Sequence, residues 1–257
     1  MRKFPLLLSV LLLSLGVKAQ WRFVPADSIV TWDNDVMNLR TTALQASEQL
    51  RPQPIGASTE ELKELQTTWE GMRQKEASTE PPYSAVNRFN MAAKLLSLTS
   101  DAQYALDMEQ LIYHPLLQSA IAPGLSAEKV VTAQTLLSAL GTMMATKGDS
   151  LYVNFYANAT AIIANCGGEF QLDLITGMPF HERVKLRFAR MSAPQGLKQT
   201  ICIRLPEGEW TEKTLPIYCN GHDTPYKIEK GYAIITNTWR QGFEIYFDLP
   251  KPLLQMQ

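Results

Sequence analysis

The spacing of apolar residues changes along this 257-residue chain, from the period of a helix to the period of a strand. Between residues 32 and 146, apolar side chains recur every three or four positions, which is typical of amphipathic helices. From residue 151 onward they alternate with polar side chains, which is typical of strands with one buried face. We therefore expect an α+β fold in which a helical part precedes a sheet part.

Five helices are predicted in the first part. The first has apolar residues at 36, 39, 43, 46 and 50 and stops at two prolines, and the second begins with a capping box formed by Ser58 and Glu61. A third carries Val86 and Phe89, and Asp101 is the predicted N-cap of a fourth, which Pro115 distorts or ends. The fifth is predicted to be capped by Ser126, to include Met144 and to end before Gly148.

About eight short strands are predicted in the second part, with turns rich in glycine, proline and asparagine between them. This pattern indicates an antiparallel β-sandwich. The predicted strands cover residues 151–156, 159–164, 170–174, 184–188, 200–205, 216–219, 232–236 and 243–249.

The N-terminus has the pattern of a signal peptide. Arg2 and Lys3 precede an apolar run over residues 4–17, and Val17-Lys18-Ala19 is an A-x-A-like cleavage site. We expect cleavage after Ala19, export to the periplasm or outside the cell, and no membrane association afterwards. The predicted organisation is a signal peptide over residues 1–19, a helical region over 20–148 and a β-sandwich over 149–257.

The composition argues against nucleic acid as a partner, and the cysteine spacing shows no zinc-binding motif. The chain has 24 Lys and Arg against 25 Asp and Glu and no basic cluster, which argues against nucleic-acid binding. Its three cysteines, Cys166, Cys202 and Cys219, form no C-x-x-C pair, so we expect no zinc knuckle and no cofactor. Buried free thiols are the default interpretation, and a Cys202–Cys219 disulfide is the alternative for an exported protein.

Several motifs occur in a recognisable order and spacing along the chain. They are Ser150-Leu-Tyr-Val-Asn-Phe-Tyr156, Ile201-Cys-Ile-Arg-Leu-Pro206, Tyr218-Cys-Asn-Gly221, residues 231–239 and 247–250, and, upstream, residues 88–91, 98–104 and 111–117. Together they resemble the C-terminal sandwich of glycoside hydrolase family 127, the β-L-arabinofuranosidase-like enzymes. The resemblance covers residues 79–249, and its upstream part is similar to the helical hairpins that precede that sandwich.

The resemblance implies an ancestry but not the ancestral chemistry. Family members place these pieces after an (α/α)6 toroid of six helical hairpins, and this chain has room for about five helices, so the toroid cannot close. The family's proposed nucleophile is a cysteine activated by zinc, with further cysteines and a glutamate as ligands. Where the family has a Cys-Cys pair this chain has Ala127-Glu128, and where it has Glu-x-Cys this chain has Glu80-Pro-Pro-Tyr83. The resemblance therefore implies a carbohydrate context without the zinc–cysteine mechanism.

Few residues remain as candidates for other chemistry. Glu80 and Glu128 could form a carboxylate pair that hydrolyses a glycoside, although Glu80 lies in a proline-rich loop and Glu128 in a first helical turn, where it offsets the helix dipole. Trp210 is the best candidate for stacking on a sugar, against a plain packing role, and we expect Trp69 and Trp239 to pack in the interior. The three histidines have no accompanying nucleophile, so a catalytic triad is not indicated.

Three hypotheses follow for the function. The first is an exported, non-catalytic protein associated with plant-type or other polysaccharides. The second is an active glycoside hydrolase acting on arabinose-containing glycans, with relocated carboxylates or with a partner chain. The third is a structural or interaction protein, in which a homodimer or a partner chain covers the helical region.

Overall fold

Four α-helices precede most of the strands in the computed structural model, which describes residues 22–23, 29–31, 58–74, 82–117, 119, 127–165, 168–177 and 181–249. The predicted helix over residues 36–50, the signal peptide and Ser126 lie outside the described residues. The helices are α1 (Thr59–Gln74), α2 (Pro82–Thr99), α3 (Ala102–Leu111) and α4 (Ala127–Thr142), and α3 continues into a π-helix (Ile112–Leu116).

The local signals that predicted these helices are confirmed. In the capping box, the Ser58 backbone N–H donates to Glu61 Oε2 over 2.7 Å, and the Glu61 N–H donates to Ser58 Oγ over 3.2 Å. The Asp101 side chain caps α3 by accepting from the Gln103 N–H over 3.0 Å. Pro115 has no N–H for an α-helical bond and lies in the π-helix, so it distorts the helix as predicted.

Two sheets form the second part of the protein. Sheet A has the order β1-β3-β4-β8-β12-β11 and sheet B has the order β10-β9-β13-β7-β6-β5-β2. Among the strands that the structure describes, every pairing is antiparallel except that of β4 with β8, which is parallel. The strands are β1 (Arg22–Phe23), β2 (Ile29–Thr31), β3 (Met144–Lys147), β4 (Ser150–Val153), β5 (Ala159–Asn165), β6 (Gly168–Thr176), β7 (Arg183–Met191), β8 (Leu197–Arg204), β9 (Tyr218–Cys219), β10 (His222–Asp223), β11 (Lys227–Glu229), β12 (Tyr232–Trp239) and β13 (Glu244–Asp248).

The core of the sandwich is built from the alternating apolar positions that the sequence predicts. On β6 and β7 the inward side chains are at most 1% exposed, and Phe188 of β7 stacks on Trp239 of β12 at a centroid distance of 4.9 Å. The opposite face of sheet A, which carries Tyr152, Cys202 and Tyr232, packs against Ala102 at the start of α3. Sheet A therefore lies between sheet B and α3.

The predicted end of the fifth helix was wrong. The helix stops at Thr142, and Met144 begins β3, which pairs with β4 across a turn that contains Gly148 at φ 63°. Apolar spacing cannot separate the two cases, because Met144 continues the helical spacing and also fills a buried strand position. The division into domains stays a prediction, and β1, β2 and β3 are strands within its helical range.

Candidate functional site

The pairing of the two predicted carboxylates involves a residue that the structure does not describe. Glu80 lies outside the described residues. Glu128 is the second residue of α4. Their pairing in a hydrolytic site therefore stays a prediction.

Trp210 folds back over its own loop. Its indole N–H donates to the Pro206 carbonyl over 2.8 Å, and the half-buried ring packs against the edge of the core. A Cβ added at Gly208 would lie 3.4 Å from the indole nitrogen, so the ring lies close over the backbone of its own loop. These contacts are those of a packing residue, and sugar stacking on Trp210 stays a prediction. The packing roles expected of Trp69 and Trp239 are confirmed, since both are at most 2% exposed.

A buried ion pair that the sequence analysis missed lies where α3 meets sheet A. Nη2 of Arg204 on β8 donates to Glu109 Oε2 on α3, and both side chains are 2% exposed. Nε of Arg204 also donates to the Asn154 carbonyl over 2.6 Å. The sequence offered two signals for this pair: Arg204 lies within the apolar run of β8, and Glu109 lies within the apolar face of α3. A sequence gives no means of matching residues that lie 95 positions apart.

Hydroxyl and amide groups extend this pair into a network. The Tyr156 hydroxyl donates to the Arg204 carbonyl, and the Arg204 guanidinium lies 5.1 Å from the Tyr156 ring centroid. The Tyr232 hydroxyl donates to Asn154 Oδ1 over 2.8 Å, and Asn154 Nδ2 donates to the Thr142 carbonyl over 2.9 Å. The network thus ties α3, the end of α4 and the middle of sheet A together.

Burial governs the ionisation of this network. Desolvation raises the pKa of the Glu109 carboxyl above its usual range, and the Arg204 guanidinium opposes that rise. Burial raises the pKa of Tyr113 to about 12, and the negative charge of Glu109 acts in the same direction. Within the described residues, Glu109 Oε1 has no hydrogen-bond partner. The perturbed pKa makes Glu109 a candidate site residue on physical grounds.

A second buried carboxylate lies on the other side of α3. The Asp107 side chain is 2% exposed and accepts from Arg88 Nε over 3.1 Å and from the Trp69 indole N–H over 2.7 Å. The Arg73 guanidinium lies over the Trp69 ring, 4.9 Å from its centroid. Positions two residues apart on a helix point in different directions, so Asp107 faces α1 and α2 while Glu109 faces sheet A.

These carboxylates can stabilise the fold but cannot act as a hydrolytic pair. Retaining and inverting glycosidases need two carboxyl groups that face one substrate, and a general acid must reach the proton acceptor. Asp107 and Glu109 face opposite sides of α3, and each is buried against an arginine. The contacts of Asp107 fix α3 against α1 and α2, and the Glu109–Arg204 pair fixes α3 against sheet A.

The described residues do not fit the zinc site of the resembling family. Cys202 and Cys219 are free thiols in different sheets, so the alternative of a disulfide between them was wrong. Burial raises the pKa of Cys202 to about 12, which disfavours the thiolate that zinc binds. Within the described part of the chain, no three His, Cys, Asp or Glu side chains cluster in a way that could hold a metal ion.

No helix among the described residues combines the length and the apolarity needed to cross a bilayer.

The fold therefore defines a protein in which a buried ion pair joins the helices to a two-sheet β-sandwich. Residues 150–251 match the family model described as the middle domain of β-L-arabinofuranosidase, GH127. The family resemblance expected from the sequence motifs is thus confirmed, and the family model places this sandwich in the middle of the enzymes rather than at their C-terminal end. No curated protein matches the chain.

Solved structures of arabinofuranosidases share the fold. A GH127 β-arabinofuranosidase is 19% identical with a TM-score of 0.55, covering 65% of this chain and 32% of its own. A structure titled glycoside hydrolase gives the same values. A GH127 β-L-arabinofuranosidase from Geobacillus stearothermophilus T6 is 17% identical with a TM-score of 0.55, covering 69% of this chain and 32% of its own. The matched region therefore spans about a third of these proteins, and the likeness shows the fold.

Proposed function

We propose that this chain is an exported, carbohydrate-associated protein that does not use the zinc–cysteine chemistry of the family it resembles. One observation carries the proposal. The sandwich matches the family over residues 150–251, while the positions that resemble its cysteine sites hold Ala127-Glu128 and Tyr83. Zinc activates a thiol by stabilising the thiolate, and no other side chain at those positions supplies that nucleophile.

The buried carboxylates support a non-catalytic role. An enzyme that had replaced the thiolate would need an accessible acid and base facing one cleft. Asp107 and Glu109 are the buried carboxylates of the described helices, and both are bound to arginines. Their conformations are fixed by packing, so their effect falls on stability.

Binding and turnover measured on the same preparation test the proposal. Mature protein, residues 20–257, is titrated by calorimetry with arabinan, arabinoxylan and other plant polysaccharides, with and without zinc, while released sugars are assayed. Binding without sugar release supports the proposal. Sugar release that disappears in Glu80→Gln or Glu128→Gln overturns it in favour of relocated carboxylates, and the absence of both binding and turnover overturns it in favour of an interaction protein.

Export and self-association need separate measurements. We infer from the N-terminal pattern that the exported protein begins at Gln20, and N-terminal sequencing of protein from the periplasm or the medium tests this. A first residue other than Gln20, or retention of residues 1–19, contradicts it. Dimerisation through the helical region predicts a molar mass by light scattering of twice that of the mature chain, and the mass of a single chain contradicts it.

A further inference from the structure

The outer face of sheet B is mostly polar, with Ile162 and Ile175 as its isoleucines, and its side chains form rows across the strands. Strand register places Tyr218, Tyr246 and Lys185 side by side across β9, β13 and β7. A neighbouring row places Glu244, Arg187 and Asp173 across β13, β7 and β6. The residues between these positions are the core residues of the sandwich, such as Ile245 and Phe247, which are at most 1% exposed. Because α3 packs on sheet A, this face lies on the opposite side of the protein from that helix.

The charged groups of this face neutralise one another. Nζ of Lys185 lies 3.0 Å from Glu244 Oε2, and Nη2 of Arg187 lies 2.7 Å from Asp173 Oδ2. Arg183 forms a third pair with Asp248, in which its Nε and Nη2 donate to the two carboxylate oxygens. Each cation among these six residues is thus matched by a carboxylate. The face offers many hydrogen-bonding groups with little net charge.

Two tyrosines form an aromatic stack within this polar face. The ring centroids of Tyr218 and Tyr246 lie 5.2 Å apart at an interplanar angle of 18°. The Arg183 guanidinium lies 5.5 Å from the centroid of Tyr246, so the stack is held on one side by a planar cation. Both tyrosines are partly exposed. Tyrosine rings fixed in this way give a rigid contact surface with an apolar body and a polar tip.

We propose that the outer face of sheet B binds a neutral polysaccharide chain, with the Tyr218–Tyr246 stack as its anchor. The proposal rests on the proposed carbohydrate association and names the site for it. The C–H faces of sugar rings pack on aromatic side chains, and sugar hydroxyls both donate and accept hydrogen bonds. The tyrosines offer rings for this packing, and the paired charged side chains around them offer hydrogen-bond donors and acceptors.

The balance of charge on this face favours a neutral polysaccharide over a nucleic acid, an acidic polysaccharide or a protein partner. A nucleic acid or an acidic polysaccharide would need an excess of lysines and arginines, and three of the cations on this face, Arg183, Lys185 and Arg187, are matched by carboxylates. A protein partner would favour an apolar interface centre from which charged residues are depleted, and here the charges surround the stack. A neutral glycan needs neither a net charge nor an apolar patch.

The experiment compares ring removal at the stack with ring removal elsewhere. The probes are debranched arabinan and arabinoxylan as neutral polymers and polygalacturonate as an acidic one, titrated into the mature protein by calorimetry. We expect Tyr246→Ala and Tyr218→Ala to weaken binding of a neutral polymer by about tenfold or more, since anchor residues dominate such contacts. Tyr152→Ala is the matched control, because it removes a partly exposed tyrosine ring on the face of sheet A that packs against α3, away from this face of sheet B, and we expect it to bind as the wild type does.

The outcomes distinguish the proposed carbohydrate association from the proposed binding site on sheet B. If the wild type binds and both alanine variants bind equally well, the assignment of the site is overturned while the carbohydrate association stands. If the wild type binds none of the polymers, both fail. Tighter binding of polygalacturonate than of the neutral polymers also overturns the assignment.

A second measurement keeps the test valid if an alanine variant does not fold. The wild-type protein is nitrated with tetranitromethane in the presence and absence of saturating neutral polymer, and its peptides are analysed by mass spectrometry. Protection of Tyr218 and Tyr246 supports the assignment. Unchanged nitration of both tyrosines at saturation overturns it.

Discussion

Arg204 and Glu109 form a buried ion pair between the middle of sheet A and helix α3, and each side chain is 2% exposed. Two charges removed from water cost free energy that only their mutual attraction and further hydrogen bonds can offset. The Asn154 carbonyl and the Tyr156 hydroxyl engage the same arginine residue. The position of α3 on the sheet therefore depends on both partners being present.

Replacing either partner alone is expected to destabilise the protein strongly. Arg204→Met leaves Glu109 buried without a counter-charge, and we expect the free energy of unfolding to fall by about 3–5 kcal/mol. Urea denaturation followed by far-UV circular dichroism measures it. Adding Glu109→Leu to Arg204→Met is expected to cost less than the two single changes summed, because the orphaned charge is removed.

An exposed pair provides the matched control for this experiment. Arg183 and Asp248 are paired across β7 and β13 with side chains that are 60% and 52% exposed. We expect Arg183→Met to cost about 0–1 kcal/mol, because water screens such pairs. A loss for Arg204→Met no larger than that for Arg183→Met would contradict the importance of the buried pair.

Gly231 fixes the start of α3 on the turn between β11 and β12. Its φ is +76°, and a Cβ placed on it would lie 2.7 Å from the Ala102 Cβ, while the Ala102 N–H donates to the Lys230 carbonyl over 2.9 Å. Gly231→Ala combines backbone strain with this contact, and we expect it to lower the free energy of unfolding by about 2–3 kcal/mol.

Gly221→Ala separates the two causes of that loss. Gly221 has a similar φ of +84°, and a Cβ there would meet nothing within 4 Å. The control should therefore show the strain alone, about 1 kcal/mol. Equal losses for the two variants in urea denaturation would show that the contact with Ala102 does not matter.

The sequence predicts the elements of this fold better than it predicts their contacts. Capping at Ser58 and Asp101 and the alternation in β6 and β7 depend on neighbouring residues, and all four are present. The parallel pairing of β4 with β8 depends on topology, which local spacing does not encode. The same holds for the candidate sites, because the ion pair and the tyrosine stack bring together residues that are far apart in the sequence.

The thiol of Cys202 is expected to be unreactive in the folded protein. Burial raises its pKa to about 12, so the thiolate fraction at pH 8 should be about a thousandfold lower than for an ordinary thiol. Alkylation with iodoacetamide in a Cys166→Ser background, followed by peptide mass spectrometry, measures this. We expect labelling of Cys202 only after unfolding in guanidinium. Rapid labelling of Cys202 in the native protein, or a Cys202–Cys219 bridge in unreduced peptides, would contradict it.

Asp173 is expected to give the protein a stability increment that disappears in acid. Its side chain is 4% exposed, and although desolvation raises its pKa, hydrogen bonds from Arg187, Gln171 and Thr160 lower it below its usual value of 3.8. An acid with a depressed pKa stabilises the fold above its unfolded pKa, and this contribution is lost as the pH falls through the folded pKa. The partner Arg187 is 46% exposed, which limits the effect at pH 7 to about 1–2 kcal/mol.

Comparing the wild type with Asp173→Asn at several pH values tests this sign. Urea denaturation at pH 7 should show the variant to be less stable, and the difference should shrink as the pH falls from 4 through 3. Asp248→Asn is the control, because its carboxylate belongs to an exposed pair with Arg183 and should change stability by less than about 1 kcal/mol. A difference between the wild type and Asp173→Asn that grows as the pH falls would mean that the folded protein favours the neutral acid. The hydrogen bonds from Arg187, Gln171 and Thr160 would then not outweigh desolvation.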